Sequence, residues 1–247
     1  MIHASLEGQI GRITLTRPEA HNALTKAAMG EMQTVLEGWA NSDIRAVILT
    51  GEGRSFCAGA SLDELGDGDW NANPLTPLCA TVEGFKAPVI AALNGGVFGG
   101  GVDLALACDF RLGVVGMKMF VPPAKLGIHY ESEGIARAVQ RLGAQMARRV
   151  FLRAESFEAD ALLAHGFLDE LHLPAALPAR AEALADSLKA LAPMAVQGMK
   201  QTILETSQNR LDIPAAKARV RACFASNDHA EALQARREKR PPHFTGS

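Results

Sequence analysis

The sequence lacks the features that stabilise small secreted domains or bind zinc. Its four cysteines, Cys57, Cys79, Cys108 and Cys223, stand far apart and include no CxxC pair. This spacing favours reduced thiols in a cytoplasmic protein over a disulfide framework or a metal site. The N-terminus has no basic stretch followed by an apolar run, so we predict no signal peptide.

The chain also lacks a strong charge of either sign. Its 247 residues include 25 Lys and Arg against 27 Asp and Glu, which gives a net charge of −2. That balance provides no general attraction to nucleic acid, and no nucleic-acid partner is expected. With 48% hydrophobic and 21% charged residues, the composition is that of a globular protein and excludes intrinsic disorder.

A long apolar run is missing as well, although residues 87–108 come near to one. They carry a single charge, Asp103, but Pro88 and a cluster of glycines between positions 95 and 101 interrupt them. A membrane-spanning helix needs about 20 continuous apolar residues, and this cluster would break such a helix. We predict a buried strand, a glycine turn and a helix here, and no membrane partner.

Strands and helices alternate along the first part of the chain, which predicts an α/β fold. Beyond Glu131 the sequence is predicted to be almost entirely helical. We divide the chain into a core, 1–190, and a C-terminal helical region, 191–247, that packs against a sister subunit. The predicted early elements are a hairpin at 3–15, helices at 26–40 and 100–107, and strands at 46–50, 88–93 and 110–115.

Two glycine turns carry the strongest functional signal. The first lies within 55–62, after the strand 46–50, and the second within 94–105, after the strand 88–93. A glycine turn that opens a helix leaves backbone N–H groups free at the positive end of the helix dipole. Such groups hold a phosphate, or an oxyanion that forms during a reaction.

The residues after the second turn argue against phosphate. A P-loop needs Lys and Ser or Thr after its last glycine, whereas Val102 and Asp103 follow here, and no GxGxxG spacing occurs. Asp103 lies one turn after Gly100, on the face of the free N–H groups, and is a candidate acid/base beside an oxyanion hole. The alternative is that the glycines only make tight turns and that Asp103 complements the helix dipole.

Four segments resemble, in order, the signatures of the crotonase, or enoyl-CoA hydratase/isomerase, superfamily. They are residues 17–24, 47–60, 87–109 and 231–244. The resemblance implies a crotonase-like ββα superhelix core with a C-terminal α-helical oligomerisation region. It also implies an acyl-CoA substrate, no cofactor beyond the coenzyme A of that substrate, and a homotrimer or a hexamer built as a dimer of trimers.

The resemblance implies particular site residues by their position in these motifs. The backbone amides of Ala60 and Gly100 would form the oxyanion hole for the thioester. The two catalytic glutamates of a hydratase fall on Asp103, which is one methylene shorter, and on Pro123, which has no proton to exchange. The residues implied to bind substrate and coenzyme A are Ala23, Ala58, Ala60, Ser61, Leu62 and Gly100.

Pro123 leaves the reaction open. The run 122–130 is similar to a branch that includes methylmalonyl-CoA decarboxylase-like members, in which a tyrosine at the position of Tyr130 lies near the acyl group. Glu131 is a candidate replacement for the missing acid, although it also suits the first turn of a helix. Tyr130 is alternatively a partly buried aromatic residue whose hydroxyl finds a backbone partner.

Three functions therefore remain open from the sequence. The first is an acyl-CoA enzyme of the hydratase/isomerase type with Asp103 as its principal acid/base. The second is a decarboxylase-like lyase that uses the Tyr130 region. The third is an acyl-CoA-binding homologue that has lost most of its catalytic power.

Overall fold

The computed structural model describes residues 1–61 and 73–247. Over these residues the larger sheet has six strands, of which β1 and β2 form an antiparallel hairpin and all later neighbours are parallel. In order across the sheet they are β1 (Ile2–Glu7), β2 (Ile10–Leu15), β3 (Ala46–Gly51), β5 (Val89–Leu93), β7 (Phe110–Val114) and β10 (Glu170–His172).

A second sheet, of four strands over the described residues, is built from the partner strands of successive pairs. Each of the pairs β3–β4, β5–β6 and β7–β8 places one strand in each sheet before the chain turns toward a helix. This arrangement confirms the predicted α/β class and the ββα superhelix. The strands are β4 (Ser55–Cys57), β6 (Gly96–Phe98), β8 (Lys118–Phe120) and β9 (Phe157–Glu158).

The helices of the described residues pack on these sheets and extend beyond them. None of them is long and apolar enough to cross a membrane. They are α1 (Lys26–Trp39), α2 (Leu75–Gly84), α3 (Gly100–Ala107), α4 (Ser132–Phe151), α5 (Ala159–Ala164), α6 (Leu177–Lys189), α7 (Pro193–Ser207), α8 (Ile213–Phe224) and α9 (Asn227–Glu238).

Local sequence explains the elements near the glycine turns. All five residues of β5 are buried, as its uninterrupted apolar sequence predicts for a strand covered on both faces. Helix α3 is buried from Gly101 to Ala107, and Asp103 is therefore a charged residue within an otherwise apolar helix. Thr25 caps the N-terminus of α1, since its hydroxyl accepts a hydrogen bond from the Ala28 amide at 3.1 Å.

The structure corrects three details of the sequence interpretation. The glycine turns follow β4 and β6 of the smaller sheet, not β3 and β5 directly. The region beyond Glu131 is not almost entirely helical, because it contains β9 and β10. Helix α2 lies between the predicted strands 46–50 and 88–93, where the sequence interpretation placed no helix. Strands of two or three residues are too short to show an alternating pattern, so the sequence could not reveal them.

The C-terminal helices begin in contact with the core. The Lys200 ammonium group of α7 donates to the Asp109 carboxylate at 2.6 Å and to the Ala87 carbonyl at 3.0 Å. Asp109 also accepts from the Val89 amide at 2.7 Å, so this partly buried acid is a structural carboxylate with its partners in place.

Candidate functional site

The two glycine turns meet because the strands before them are parallel neighbours. Ser55 pairs with Gly96 and Cys57 pairs with Val97, so β4 and β6 end side by side. The chain therefore leaves both strands at the same edge of the smaller sheet. This is the edge where parallel sheets place their ligand sites.

Gly59 allows the two turns to come into contact. A Cβ atom at this position would stand 3.0 Å from the Gly100 Cα atom and closer still to the Gly100 amide nitrogen. Its φ of +87° also lies in the region that L side chains rarely adopt. Any other residue here would push the second turn away from the first.

The amides of Ala60 and Gly100 lie at this contact. The Leu24 amide donates to the Gly59 carbonyl and the Ser61 amide donates to the Leu24 carbonyl, so the Ala60 amide faces away from Leu24. The Ala60 nitrogen is 3.5 Å from the point where a Gly100 Cβ would lie. Within 1–61 and 73–247, neither amide donates to a protein acceptor. Both are thus available to a ligand.

A cavity of about 430 Å³ opens at this point, and its walls are mostly apolar. Its lining includes Ala58, Ala60 and Gly100 of the two turns, together with Asp103, Pro123 and Tyr130. A largely apolar cavity with a few polar groups is typical of a small-molecule site. The remaining described lining residues are Asn73, Leu75, Thr76, Gly99, Pro122, Leu126, Ile128, His129 and Glu131.

Asp103 is the buried acid of this cavity, with a relative exposure of 4%. One carboxylate oxygen forms an ion pair with Arg137 of α4. Burial raises the pKa of Asp103 above its ordinary value, while the charge of Arg137 and its hydrogen bond oppose that rise. Asp103 is therefore a buried carboxylate held in place by Arg137.

Arg137 is a site residue that sequence reasoning missed. Its guanidinium group lies between two buried carboxylates, Asp103 and Glu83, and its Nε atom is 3.3 Å from Glu83. The Gln208 amide, at 3.2 Å, completes the surroundings of Glu83. An arginine on an amphipathic helix normally faces solvent, and its spacing in the sequence does not distinguish this buried one.

Tyr130 lies against the second glycine turn. Its hydroxyl donates to the Gly99 carbonyl at 3.1 Å, and its ring packs against Phe151 with centroids 4.9 Å apart. Gly134 leaves room for that ring, because a Cβ there would stand 2.6 Å from Tyr130 Cε1 and 3.0 Å from the Asp103 carboxylate. Burial raises the pKa of Tyr130 well above its usual range.

Glu131, the candidate for the second acid, and Pro123, which occupies the motif position of that acid, both line the cavity. Glu131 is exposed and accepts a hydrogen bond from the Asn73 amide at 3.1 Å. Pro123 begins a short 3₁₀ helix, Pro123–Leu126, which forms part of the cavity wall. The wall therefore carries no proton donor at position 123.

The residues implied to bind coenzyme A are only partly brought together. Ala58 lines the cavity, and its amide donates to the His21 carbonyl at 2.9 Å. Ala23 lies behind the first turn, where its carbonyl accepts from the Arg17 guanidinium group. Ser61 is buried, and Leu62 lies outside the described residues.

The described residues offer no cluster for a metal ion. Over 1–61 and 73–247, no three His, Cys, Asp or Glu side chains are placed together to hold one. The polar groups of the cavity are instead two amides, one buried carboxylate, one phenol and groups at the rim. Such a set can bind an oxyanion and transfer a proton close to it.

Comparison with known proteins gives this arrangement a context. A family model described as enoyl-CoA hydratase/isomerase matches residues 5–247. A short-chain-enoyl-CoA hydratase from Clostridium acetobutylicum is 32% identical over 243 residues, which covers 95% of this chain and 93% of the relative. A 2,3-dehydroadipyl-CoA hydratase from Escherichia coli is 33% identical and covers 95% and 94%.

Solved structures agree with the sequence relatives. The crystal structure of an enoyl-CoA hydratase from Bacillus anthracis superposes with a TM-score of 0.92 at 28% identity, covering 100% of this chain and 99% of that one. The match extends over both the strand-containing core and the C-terminal helices.

Proposed function

This chain belongs to the enoyl-CoA hydratase/isomerase family, and on that premise we propose that it transforms acyl-CoA thioesters by stabilising a thioester enolate. The observation that carries the proposal is that the amides of Ala60 and Gly100, which have no acceptor among the described residues, line one apolar cavity together with a buried carboxylate. The two sequence relatives named above are described as a short-chain-enoyl-CoA hydratase and a 2,3-dehydroadipyl-CoA hydratase.

The two amides would hold the oxygen of the thioester carbonyl. When a proton leaves the carbon next to that carbonyl, negative charge moves onto the oxygen. Fixed N–H groups in an apolar cavity stabilise this charge better than water does, since they need no reorientation as it forms. Removal of one such donor typically costs about 10²–10³ in rate.

Asp103 would move the proton. The charge of Arg137 favours the ionised carboxylate, so that Asp103 can accept a proton from the carbon next to the thioester. In a double-bond isomerisation it would return the same proton to the carbon at the far end of the dienolate. Atoms and charge then balance with a single carboxylate.

Hydration asks more of the site than isomerisation does. Adding water across a double bond by the family's standard route needs a second acid, and Pro123 stands where that acid falls by motif. Glu131, at the rim, would have to position the water instead. We therefore place one-carboxylate chemistry first and hydration by Asp103 with Glu131 second.

A decarboxylase-like activity is favoured by the same proline. A malonyl-type thioester loses its carboxylate as CO₂, the electrons of the broken C–C bond form the enolate, and a proton then adds to carbon. This reaction needs the oxyanion hole but no base, so it does not depend on an acid at position 123, where proline stands. A homologue that only binds acyl-CoA is the third possibility.

We also propose that the C-terminal helices assemble the protein as a homotrimer or a hexamer. Several apolar side chains of this region are exposed in the single chain, which is costly unless another subunit covers them. Analytical ultracentrifugation would test the assembly. These side chains are Leu191, Met199, Ile203, Ile213, Val220, Phe224 and Leu233.

A panel of enoyl-, hydroxyacyl- and malonyl-type CoA thioesters tests the proposed function, with wild type and Asp103→Asn compared. We expect isomerisation or hydration by wild type and a kcat about 10²–10⁴-fold lower in Asp103→Asn, since proton transfer contributes about that much. Asp160→Asn is the matched control, because Asp160 also lies in the first turn of a helix but is exposed.

The other outcomes are equally informative. CO₂ release that Asp103→Asn leaves intact would replace our first choice with the decarboxylase. Binding of thioesters without any turnover would leave only the binding homologue. An enoyl-CoA reaction that runs at full rate in Asp103→Asn would remove Asp103 from the mechanism.

A further inference from the structure

Hydrogen bonds hold the backbone of Gly99 on both sides, at its amide and at the carbonyl that it shares with the peptide to Gly100. The Gly99 amide donates to the Phe120 carbonyl at 3.1 Å. The Gly99 carbonyl accepts two hydrogen bonds, from the Val102 amide at 3.1 Å and from the Tyr130 hydroxyl at 3.1 Å. Both lone pairs of this carbonyl are therefore used, and one donor is a side chain.

This carbonyl and the Gly100 amide belong to one rigid unit. A trans peptide is planar, with its C=O and N–H bonds pointing in opposite directions. Gly99 has φ 50° and ψ −124°, a conformation that only glycine adopts readily and that leaves the plane free to rotate unless something holds it. A hydrogen bond that fixes the Gly99 oxygen therefore fixes the direction of the Gly100 N–H bond.

The hydroxyl is itself held firmly. Tyr130 packs against Phe151 and against the core, and the missing side chain of Gly134 lets its ring approach. Its bond to Gly99 also has an electronic effect, because a donor on the carbonyl end polarises the amide and makes its N–H a stronger donor.

We propose that Tyr130 is a positioning residue whose hydroxyl aims and polarises the Gly100 amide, so that this amide meets the thioester oxyanion. The inference rests on the proposed function, since it assigns Gly100 to the oxyanion hole. It gives Tyr130 a role through the backbone, and no proton passes from its hydroxyl to the substrate.

Two opposite perturbations of the same hydroxyl test this role. Tyr130→Phe removes the donor. Growth on 3-fluorotyrosine strengthens the donor at this site alone, because Tyr130 is the only tyrosine in the chain. The high pKa of the Tyr130 hydroxyl keeps it protonated at neutral pH. Tyr130→Phe therefore compares a neutral phenol with its absence, and the fluorotyrosine protein compares it with a stronger donor.

The readout is the infrared band of the thioester carbonyl in a bound acyl-CoA analogue. The analogue keeps the thioester, carries ¹³C at its carbonyl and does not react. We expect this band to move toward its position in free solution in Tyr130→Phe, and further from it in the fluorotyrosine protein. We also expect kcat to fall about 2–10-fold in Tyr130→Phe, the effect of one net hydrogen bond, with little change in KM or in the pH profile.

Thr81→Val is the matched control, since the Thr81 hydroxyl also donates to a backbone carbonyl, that of Pro77 in α2, outside the cavity. An unchanged carbonyl band in both Tyr130 forms overturns the inference, whether or not the protein is active. A Tyr130→Phe variant with a displaced limb in its pH profile also overturns it, in favour of proton transfer by the phenol. If wild type binds no thioester, the proposed function and this inference fall together; if wild type is active and the Tyr130 forms are unchanged, only the inference does.

Discussion

Replacement of Gly59 by alanine probes the contact between the two turns directly. The added methyl group would stand 3.0 Å from the Gly100 Cα atom and 3.2 Å from the Gly101 nitrogen, where nothing but backbone can give way. Gly116 offers a matched control. Its φ of +85° is nearly the same as the +87° of Gly59, but a Cβ there meets nothing within 4 Å.

Both variants lose stability because alanine is placed in a left-handed conformation, and only Gly59→Ala also overpacks its surroundings. Placing alanine in a left-handed conformation costs about 1–2 kcal/mol in each variant. Gly59→Ala adds an overpacking cost of about 1–3 kcal/mol. It must also displace the Ala60 or the Gly100 amide, so we expect kcat to fall about 10²–10³-fold, as when one oxyanion donor is lost. Gly116→Ala should lose stability but keep its kcat.

Thermal unfolding and steady-state kinetics on the best thioester of the panel would separate these effects. For a chain of this length a loss of 1 kcal/mol lowers Tm by about 2–4 °C, so both variants remain folded at 25 °C if wild type has ordinary stability. A folded Gly59→Ala protein with a kcat within roughly threefold of wild type would refute the reasoning, because the two amides could then not act together.

Two further predictions concern charged groups. Arg137→Met leaves Asp103 buried without its cation and leaves Glu83 with the more distant Arg141, so we expect a loss of about 3–5 kcal/mol in the free energy of unfolding, measured in denaturant. The same change raises the pKa of Asp103 further and moves the acidic limb of the kcat/KM profile to higher pH, and an unmoved limb would contradict this. Arg141→Met is the control, because among the described residues Arg141 forms its ion pair with Glu83, at 3.8 Å, and not with Asp103. In the C-terminal tail, Arg240 and the His243 amide lower the pKa of Glu231 to about 2 from 4.5. Wild type should therefore be more stable than Glu231→Gln above about pH 5, and the difference should shrink as pH falls toward 2, as denaturant unfolding across this range would show; a difference that does not depend on pH would contradict the assignment.

The sequence predicted the larger sheet better than the smaller one. Strands such as β3 and β5 are continuous apolar runs bounded by turn residues, a pattern that identifies buried parallel strands. The strands of the smaller sheet span only two or three residues each, so their own sequence does not mark them. Their positions depend on the neighbouring strands of the larger sheet, which is information from tertiary structure.

The candidate site divides in the same way. Gly59, Gly100 and Asp103 lie in turns and at a helix start, where sequence and local geometry are closely linked, and their chemistry could be predicted from spacing. The roles of Arg137 and Gly134 depend on where α4 crosses α3, about 30 residues further along the chain. No local pattern reports such a crossing. The bond from Tyr130 to Gly99 belongs to this second group.

The ion pair between Lys200 and Asp109 has a consequence for how the chain could be divided. Lys200, on α7, donates to the Asp109 carboxylate, which also accepts from the Val89 amide at the start of β5. A fragment that ends at residue 190 would keep Asp109 and lose Lys200. The carboxylate would then lack its cation at a partly buried position. We therefore expect such a fragment to unfold more readily than the full chain and to regain order when a peptide spanning 191–247 is added in trans.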